Sequence, residues 1–386
     1  MTITLKSKIS DVLKKKSIWI ILIITGIICK LILLPVKTGD SVYFLSWIDF
    51  IKSHDYFSSL KYGFYDYSPP YIYILIIVSK LGLNSLFSIK IASIVFEYLA
   101  AFYIGKIAFL KYKSAITIWI AIAVIPILPT VLLNSSYLSQ CDSIYSAFTI
   151  GSIYFILTKK QFLSVLFLGV SIAFKLQAVM VLPLFYVLFL RKEINWYYFL
   201  VLPVVFILSL LPAWMYGRTF NELLNIYVSQ ADHFHFLTLN FPNLYIWINN
   251  DYYQSVKISG MLFTFIFTLI TGYLISRKKI IFSLEIWVKL AFLSSILIPF
   301  ILPGMHERYM YLGDILGVLY YLIVRKNIHL PLGILLISLY SYIRCSRYND
   351  ILPMWPAFVV YSTIIILTAF DFIKSLNHES EPIKVQ

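Results

Sequence analysis

The sequence predicts an all-α protein, a polytopic bundle of membrane helices, and three observations predict it. Of its 386 residues 60% are apolar or aromatic and only 13% are charged, against about 25% charged in an ordinary soluble domain, and the mean hydropathy is +0.83. Apolar stretches recur from residue 17 to residue 373, more apolar surface than one water-soluble core can hide. The cations behind the net charge of +14 are gathered into short runs between those stretches, which is the pattern of the positive-inside rule and not of a phosphate-binding face. Nucleic acid is therefore not among the expected partners. Cys29, Cys141 and Cys345 stand at unrelated spacings and offer neither a disulfide framework nor a zinc pattern.

The Lys-rich start (Lys6, Lys8, Lys14, Lys15, Lys16) runs into an apolar stretch without a small-residue cleavage site, so it reads as a retained first span over 17 to 37. Residues 41 to 60 are amphipathic and read as a helix lying on the membrane surface. Pro69 to Leu81 opens with Pro-Pro and is too short to cross, so it reads as a re-entrant or half-buried helix. Eleven further spans are expected over 86 to 109, 115 to 133, 143 to 158, 162 to 174, 176 to 190, 196 to 216, 257 to 276, 280 to 300, 310 to 324, 328 to 343 and 351 to 373, twelve in all. With 69 to 81 not crossing, the N-terminal lysines, Lys106/Lys111/Lys113, Lys159/Lys160, Arg191/Lys192, Arg277/Lys278/Lys279, Arg325/Lys326, Lys374 and Lys384 fall on one side. Both termini are then cytoplasmic. The chain reads as one membrane domain over 1 to 386, with main extracytoplasmic loops at 38 to 68 and 217 to 256. Function is expected there, on loops held by a rigid scaffold.

Candidate chemistry sits at the outer helix ends. Asp40, in Thr38-Gly39-Asp40-Ser41, stands where the first span leaves the membrane, as a base at the lipid boundary or as a helix cap. Asp66 and Tyr67 belong to an aromatic Tyr62-to-Tyr73 run that suits an interfacial belt but leaves Asp66 unexplained. Gln140 and Asp142 precede a span, and Asp142 can cap it. Lys175, in Phe174-Lys175-Leu176-Gln177, interrupts a long apolar stretch at its midpoint, where a charge marks a functional site unless it snorkels. Pro303-Gly304-Met305-His306-Glu307-Arg308-Tyr309 packs three ionisable groups into one short loop. His306 and Arg308 suit a phosphate, and a plain Glu307–Arg308 pair is the simpler alternative. Asp232-His233-Phe234-His235 could ligate a metal but lacks a convincing third ligand. Lys30, Glu97, Glu285, Lys289 and Asp314 are expected to face the bundle interior, Glu285 and Lys289 as an internal i,i+4 pair.

Taken in order, the post-span Asp, the Asp-x-Ser-Pro-Pro-Tyr, the Gln-x-Asp-Ser-x-Tyr, the Lys-x-Gln tip and the Met-His-Glu-Arg-Tyr resemble the GT-C superfamily of integral-membrane glycosyltransferases. The resemblance covers about residues 38 to 320 and is to mannosyltransferases like the second one of glycosylphosphatidylinositol synthesis and their bacterial relatives. It implies a polyprenyl-phosphate sugar donor, a lipid-linked or glycan acceptor on the outer face, and inverting transfer without a nucleotide sugar; with Lys175, His306 and Arg308 to meet the departing phosphate, no metal or other cofactor is expected. It maps the catalytic acid onto Asp40 and substrate binding onto Asp66, Tyr67, Gln140, Asp142, Lys175, Gln177, His306, Glu307, Arg308 and Tyr309. A composition rich in Ile, Lys, Asn and Tyr suggests an AT-rich genome and the compact loops a bacterial plasma membrane, with a eukaryotic endoplasmic-reticulum membrane as the alternative. Three competing classes remain: a polysaccharide polymerase or ligase, a transporter or flippase of lipid-linked sugars, and a non-enzymatic assembly subunit. The polymerase is expected to rely on arginines in large outer loops, and 217 to 256 holds only Arg218. The transporter is expected to show repeated halves.

Overall fold

The computed structural model describes residues 16–231, 234–347 and 351–377. A helix lies over each of the twelve expected stretches, because an uninterrupted apolar run in lipid must satisfy its own backbone. With α2 and α3 added ahead of the second stretch, the helices in chain order are α1 (Lys16–Leu33), α2 (Gly39–Ser53), α3 (Pro69–Ser79), α4 (Ser85–Tyr112), α5 (Ile116–Val124), α6 (Asp142–Leu157), α7 (Gln161–Phe174), α8 (Leu182–Leu190), α9 (Val201–Met215), α10 (Tyr253–Ser276), α11 (Leu284–Ile301), α12 (Tyr311–Val324), α13 (His329–Arg347) and α14 (Trp355–Asn377). Two-residue strands β1 (Thr238–Leu239) and β2 (Met305–His306) pair in parallel.

The count of twelve spans is not reached by length and composition. Among the described residues five helices are long and apolar enough to cross a membrane: Ser85–Tyr112, Trp196–Met215, Asn250–Ser276, Leu284–Ile301 and Trp355–Asn377. A sixth arises where Ile116–Ile127 and Pro129–Tyr137 are joined across a 58° bend at Pro126 and Pro129, where proline breaks the helical hydrogen-bond ladder. The helices α6, α7 and α12 have 16, 14 and 14 residues, short of the ~20 that a span perpendicular to the bilayer needs.

Helix α11 is the hub, with 83% of its apolar window buried, whereas the windows of Trp196–Met215 and Asn250–Ser276 are 11% and 17% buried. These outer helices turn Val204, Leu208, Leu262 and Phe265 outward, an apolar belt that only lipid can cover. The main core joins α4, α6, α11, α12 and α14. Close approach of α4 and α5 depends on Gly105, where a Cβ would stand 2.5 Å from the Ile118 Cα. Gly105→Ala is expected to cost about 1–3 kcal/mol by overpacking, read as a lowered Tm in detergent with no change in oligomeric state.

The stretch 41 to 60, expected as one helix, is broken in two. It is α2 followed by a 3₁₀ turn, Tyr56–Lys61, separated by left-handed residues Asp55 and Tyr56. Phe44, Trp47, Ile48 and Ile51 are buried, with Phe44 against Tyr71 and Trp47 against Tyr67. The apolar face thus covers protein and does not rest on lipid alone. The short α3 is itself enclosed by protein, with Tyr71, Ile72, Leu75 and Ile76 inaccessible.

The basic turns meet at one end of the bundle. The Lys111 Nζ donates to the Ile323 carbonyl at 2.6 Å, and the Arg191 guanidinium donates to the carbonyls of Ser276, Lys278 and Ile280. Lys159 pairs with Glu193 at 2.7 Å. Lys30 and Glu97 are buried as a pair, and Asp314 accepts from Ser338 at 2.8 Å. The expected Glu285–Lys289 pair forms at 3.2 Å, but Glu285 is 37% exposed and is not interior; it also reaches Lys111 at 3.5 Å. Lys289 is held more closely by Asp371, at 2.8 Å.

Candidate active site

The capping alternative for Asp40 is excluded by geometry. Thr38 takes the cap, its hydroxyl accepting from the Ser41 amide at 3.3 Å while the Ser41 hydroxyl accepts from the Thr38 amide at 2.6 Å. This reciprocal box satisfies two of the four orphan amides at the helix start. Asp40 falls in the first turn, half-buried, and its carboxylate accepts from the Gln140 amide nitrogen at 2.5 Å.

Gln140 is placed by a local distortion. After the bend at Pro129 the helix widens into a π-turn, Leu132–Tyr137, and Ser139 takes a left-handed φ of 65°. The Gln140 amide then returns to the Asn134 carbonyl at 2.8 Å. Such π-turns recur at functional sites. The Gln140 side-chain carbonyl accepts from the Tyr67 hydroxyl at 3.1 Å, so one amide orients both a carboxylate and a phenol.

Asp142 does not cap α6 either. Cys141 is the cap residue and makes no side-chain cap bond. Asp142 is 1% exposed and accepts from the Lys175 ammonium at 2.7 Å and from Asn134 Nδ2 at 2.7 Å. The same Asn134 nitrogen donates to the Tyr342 hydroxyl at 2.9 Å. Lys175 therefore does not snorkel. It leaves α7 in extended backbone, is buried, and lies 4.8 Å from the centre of the Tyr67 ring.

The Met-His-Glu-Arg-Tyr segment is fixed by the 217 to 256 loop. Thr238 pairs with Met305 and Leu239 with His306, Gly304 (φ 76°) donates to the Leu237 carbonyl at 2.8 Å, and Asn243 Nδ2 donates to the Leu302 carbonyl at 3.2 Å. The Arg308 Nη1 donates to Glu307 at 2.9 Å, so the simple pair does exist. Yet the Arg308 Nε also lies 3.9 Å from Asp142 and has no hydrogen-bond acceptor of its own. Tyr309 stands beside the Gln177 side chain, and Phe234 packs on the His306 ring.

Burial holds the His306 imidazole below its ordinary pKa despite the opposing pull of Glu307, so at neutral pH it is uncharged. Burial alone would raise the Glu307 carboxyl, but Arg308 and His306 bring it down to about 2. A carboxyl depressed from 4.5 to about 2 stabilises the fold at pH above 4.5, and that contribution disappears as the pH falls toward 2. Glu307→Gln is expected to flatten this acid limb in a Tm-versus-pH series.

The structure thus joins Asp40, Tyr67, Gln140, Asp142, Lys175 and Arg308, with Glu307, His306, Tyr309 and Gln177 around Arg308. Asp66 stands apart. It faces Tyr43, whose hydroxyl is pushed up to about 12 by burial and by the Asp66 carboxylate. Asp232 and His233 lie outside the described residues, and His235 packs on Tyr253. Asn134 and Tyr342 were not singled out from sequence. An Asn inside an apolar span was the available signal for the first; the second had none. In the interior Lys175 pairs with Asp142 and Arg308 with Glu307, and the Arg308 Nε is a buried donor that a further acceptor atom could meet. No family model and no curated protein matches the chain.

Proposed function

We propose that the chain is an inverting glycosyltransferase of the GT-C kind, moving a mannose-like hexose from a polyprenyl-phosphate donor to a lipid-linked or glycan acceptor. The observation that carries this reading is Asp40. Relieved of capping by Thr38 and held by Gln140, it stands at the rim of a network whose buried cations, Lys175 and Arg308, retain donor atoms for an anion.

In the reaction Asp40 takes the proton of an acceptor hydroxyl as that oxygen bonds to the anomeric carbon. The bond from that carbon to the phosphate oxygen breaks, and its electron pair leaves with polyprenyl phosphate. Lys175 and Arg308 meet the growing phosphate charge, the role of preorganised cations in a site shielded from water. Neutral His306 contributes a hydrogen bond, not a charge. Gln140 and Tyr67 keep the base oriented.

In this reading all twelve stretches cross a bacterial plasma membrane, the termini are cytoplasmic and the site is extracytoplasmic. The order along single helices supports it: Asp142 opens α6 and Lys159 follows its far end, and Arg308 precedes α12 while Arg325 follows it. In a cysteine-free background, Asn249→Cys is expected to react with an impermeant maleimide in intact cells and Lys160→Cys only after permeabilisation. The opposite pattern overturns the orientation. Purified protein given radiolabelled polyprenyl-phosphate mannose and a membrane acceptor extract is expected to release polyprenyl phosphate in step with product. Absence of release with mannose, glucose and galactose donors alike contradicts the function.

A further inference from the structure

Beyond the Asp40 network, the segment following α9 lines a half-open cavity of about 340 Å³, at the lower end of the ~300–1,000 Å³ of small-ligand sites. Tyr65 and Asp66 form one wall, and Arg218, Asn221, Glu222 and Asn225 the other. The short helices Phe220–Leu224 and Ile226–Ala231 bring Asn221, Asn225 and Ser229 to it at four-residue spacing. Leu224 and Val228, on the adjoining stripe, are exposed and apolar. The segment is therefore amphipathic at the membrane boundary, with its polar stripe on the cavity.

Arg218 is what the cavity leaves unsatisfied. It is 9% exposed, its guanidinium 4.5 Å from the centre of the Tyr65 ring and its Nε 3.4 Å from Glu222. Its Nη1 is buried and has no hydrogen-bond acceptor. A buried donor in that state carries a desolvation cost that a bound acceptor atom removes. The remaining lining mixes carboxylates, which only accept, with amides, which donate and accept. One cation among two carboxylates disfavours an anion. Hydroxyl groups, donors and acceptors at once, match the whole set.

We infer that this cavity binds a neutral, hydroxyl-rich sugar unit. Resting on the glycosyltransferase reading, that sugar belongs to the acceptor. Asp66 touches both places: it lines the cavity and faces Tyr43, which lies one helical turn from Asp40. A sugar seated here is on the base's side of the site.

The test separates binding from transfer. Saturation-transfer NMR is run on purified protein in nanodiscs with the methyl glycosides of mannose, glucose and N-acetylglucosamine as probes. Wild type and Asp40→Asn are both expected to give a signal with at least one probe. Ser229→Trp, which fills the cavity from an exposed position, is expected to abolish it without changing Tm, and Asn225→Ala to weaken it several-fold. No signal with any probe, or an unchanged signal in Ser229→Trp, overturns the sugar site. Binding with this mutational pattern but no transfer from any polyprenyl-phosphate hexose leaves the sugar site standing and refutes the transferase reading instead.

Discussion

Replacing Asp40 with Asn is expected to lower kcat by about 10²–10⁴, the usual worth of a positioned general base, while leaving donor KM within a few-fold. The isosteric amide keeps the capping box, because Thr38 and Ser41 make it without the Asp40 side chain. It can still pair with Gln140 after an amide rotation, so the fold and the donor contacts at Lys175 and Arg308 are retained. Loss in kcat alone is the signature of an interaction made in the transition state. Equal activity in both proteins would move the base to Asp66 or Asp142. A large rise in KM at constant kcat would make Asp40 a binding residue.

The second large effect is at the Asp142–Lys175 pair, both partners of which are buried. Lys175→Met leaves Asp142 held by Asn134 and, at longer range, Arg308. Removing one partner of a buried pair costs about 3–5 kcal/mol, seen as a large fall in Tm or poor extraction from the membrane. The double variant Lys175→Met with Asp142→Asn removes both charges and is expected to recover most of that stability. It is not expected to recover transfer, because a cation facing the departing phosphate is still missing. Recovery of activity together with stability would show the pair to be purely structural.

The positions of the helices were legible in the sequence because long apolar runs have one solution in lipid. The ordered motifs marked most of the network, and folding joins them across large separations: Asp40 to Gln140 across 100 residues, Asp142 to Lys175 across 33. The cap assignment was not legible, since Thr38 and Asp40 are both good N-cap residues two positions apart and only backbone geometry separates them. The π-turn that delivers Gln140 has no periodic signature. The pairing of Thr238 and Leu239 with Met305 and His306 involves too few residues to leave a pattern, so the 217 to 256 loop showed no purpose although it anchors Arg308. That Asp66 parts from its neighbour Tyr67 was not legible either: Tyr67 joins Gln140, whereas the Asp66 carboxylate faces Tyr43.

The central claim, that Asp40 drives direct displacement at a sugar carried on polyprenyl phosphate, is tested most directly by the anomeric configuration of the product. Purified wild-type protein in nanodiscs, given a single polyprenyl-phosphate mannose anomer and an acceptor extract in the presence of EDTA, is predicted to form one glycoside of inverted configuration with stoichiometric release of polyprenyl phosphate. A product of retained configuration, or donor that stays intact while sugar lipid moves across the bilayer, would contradict it.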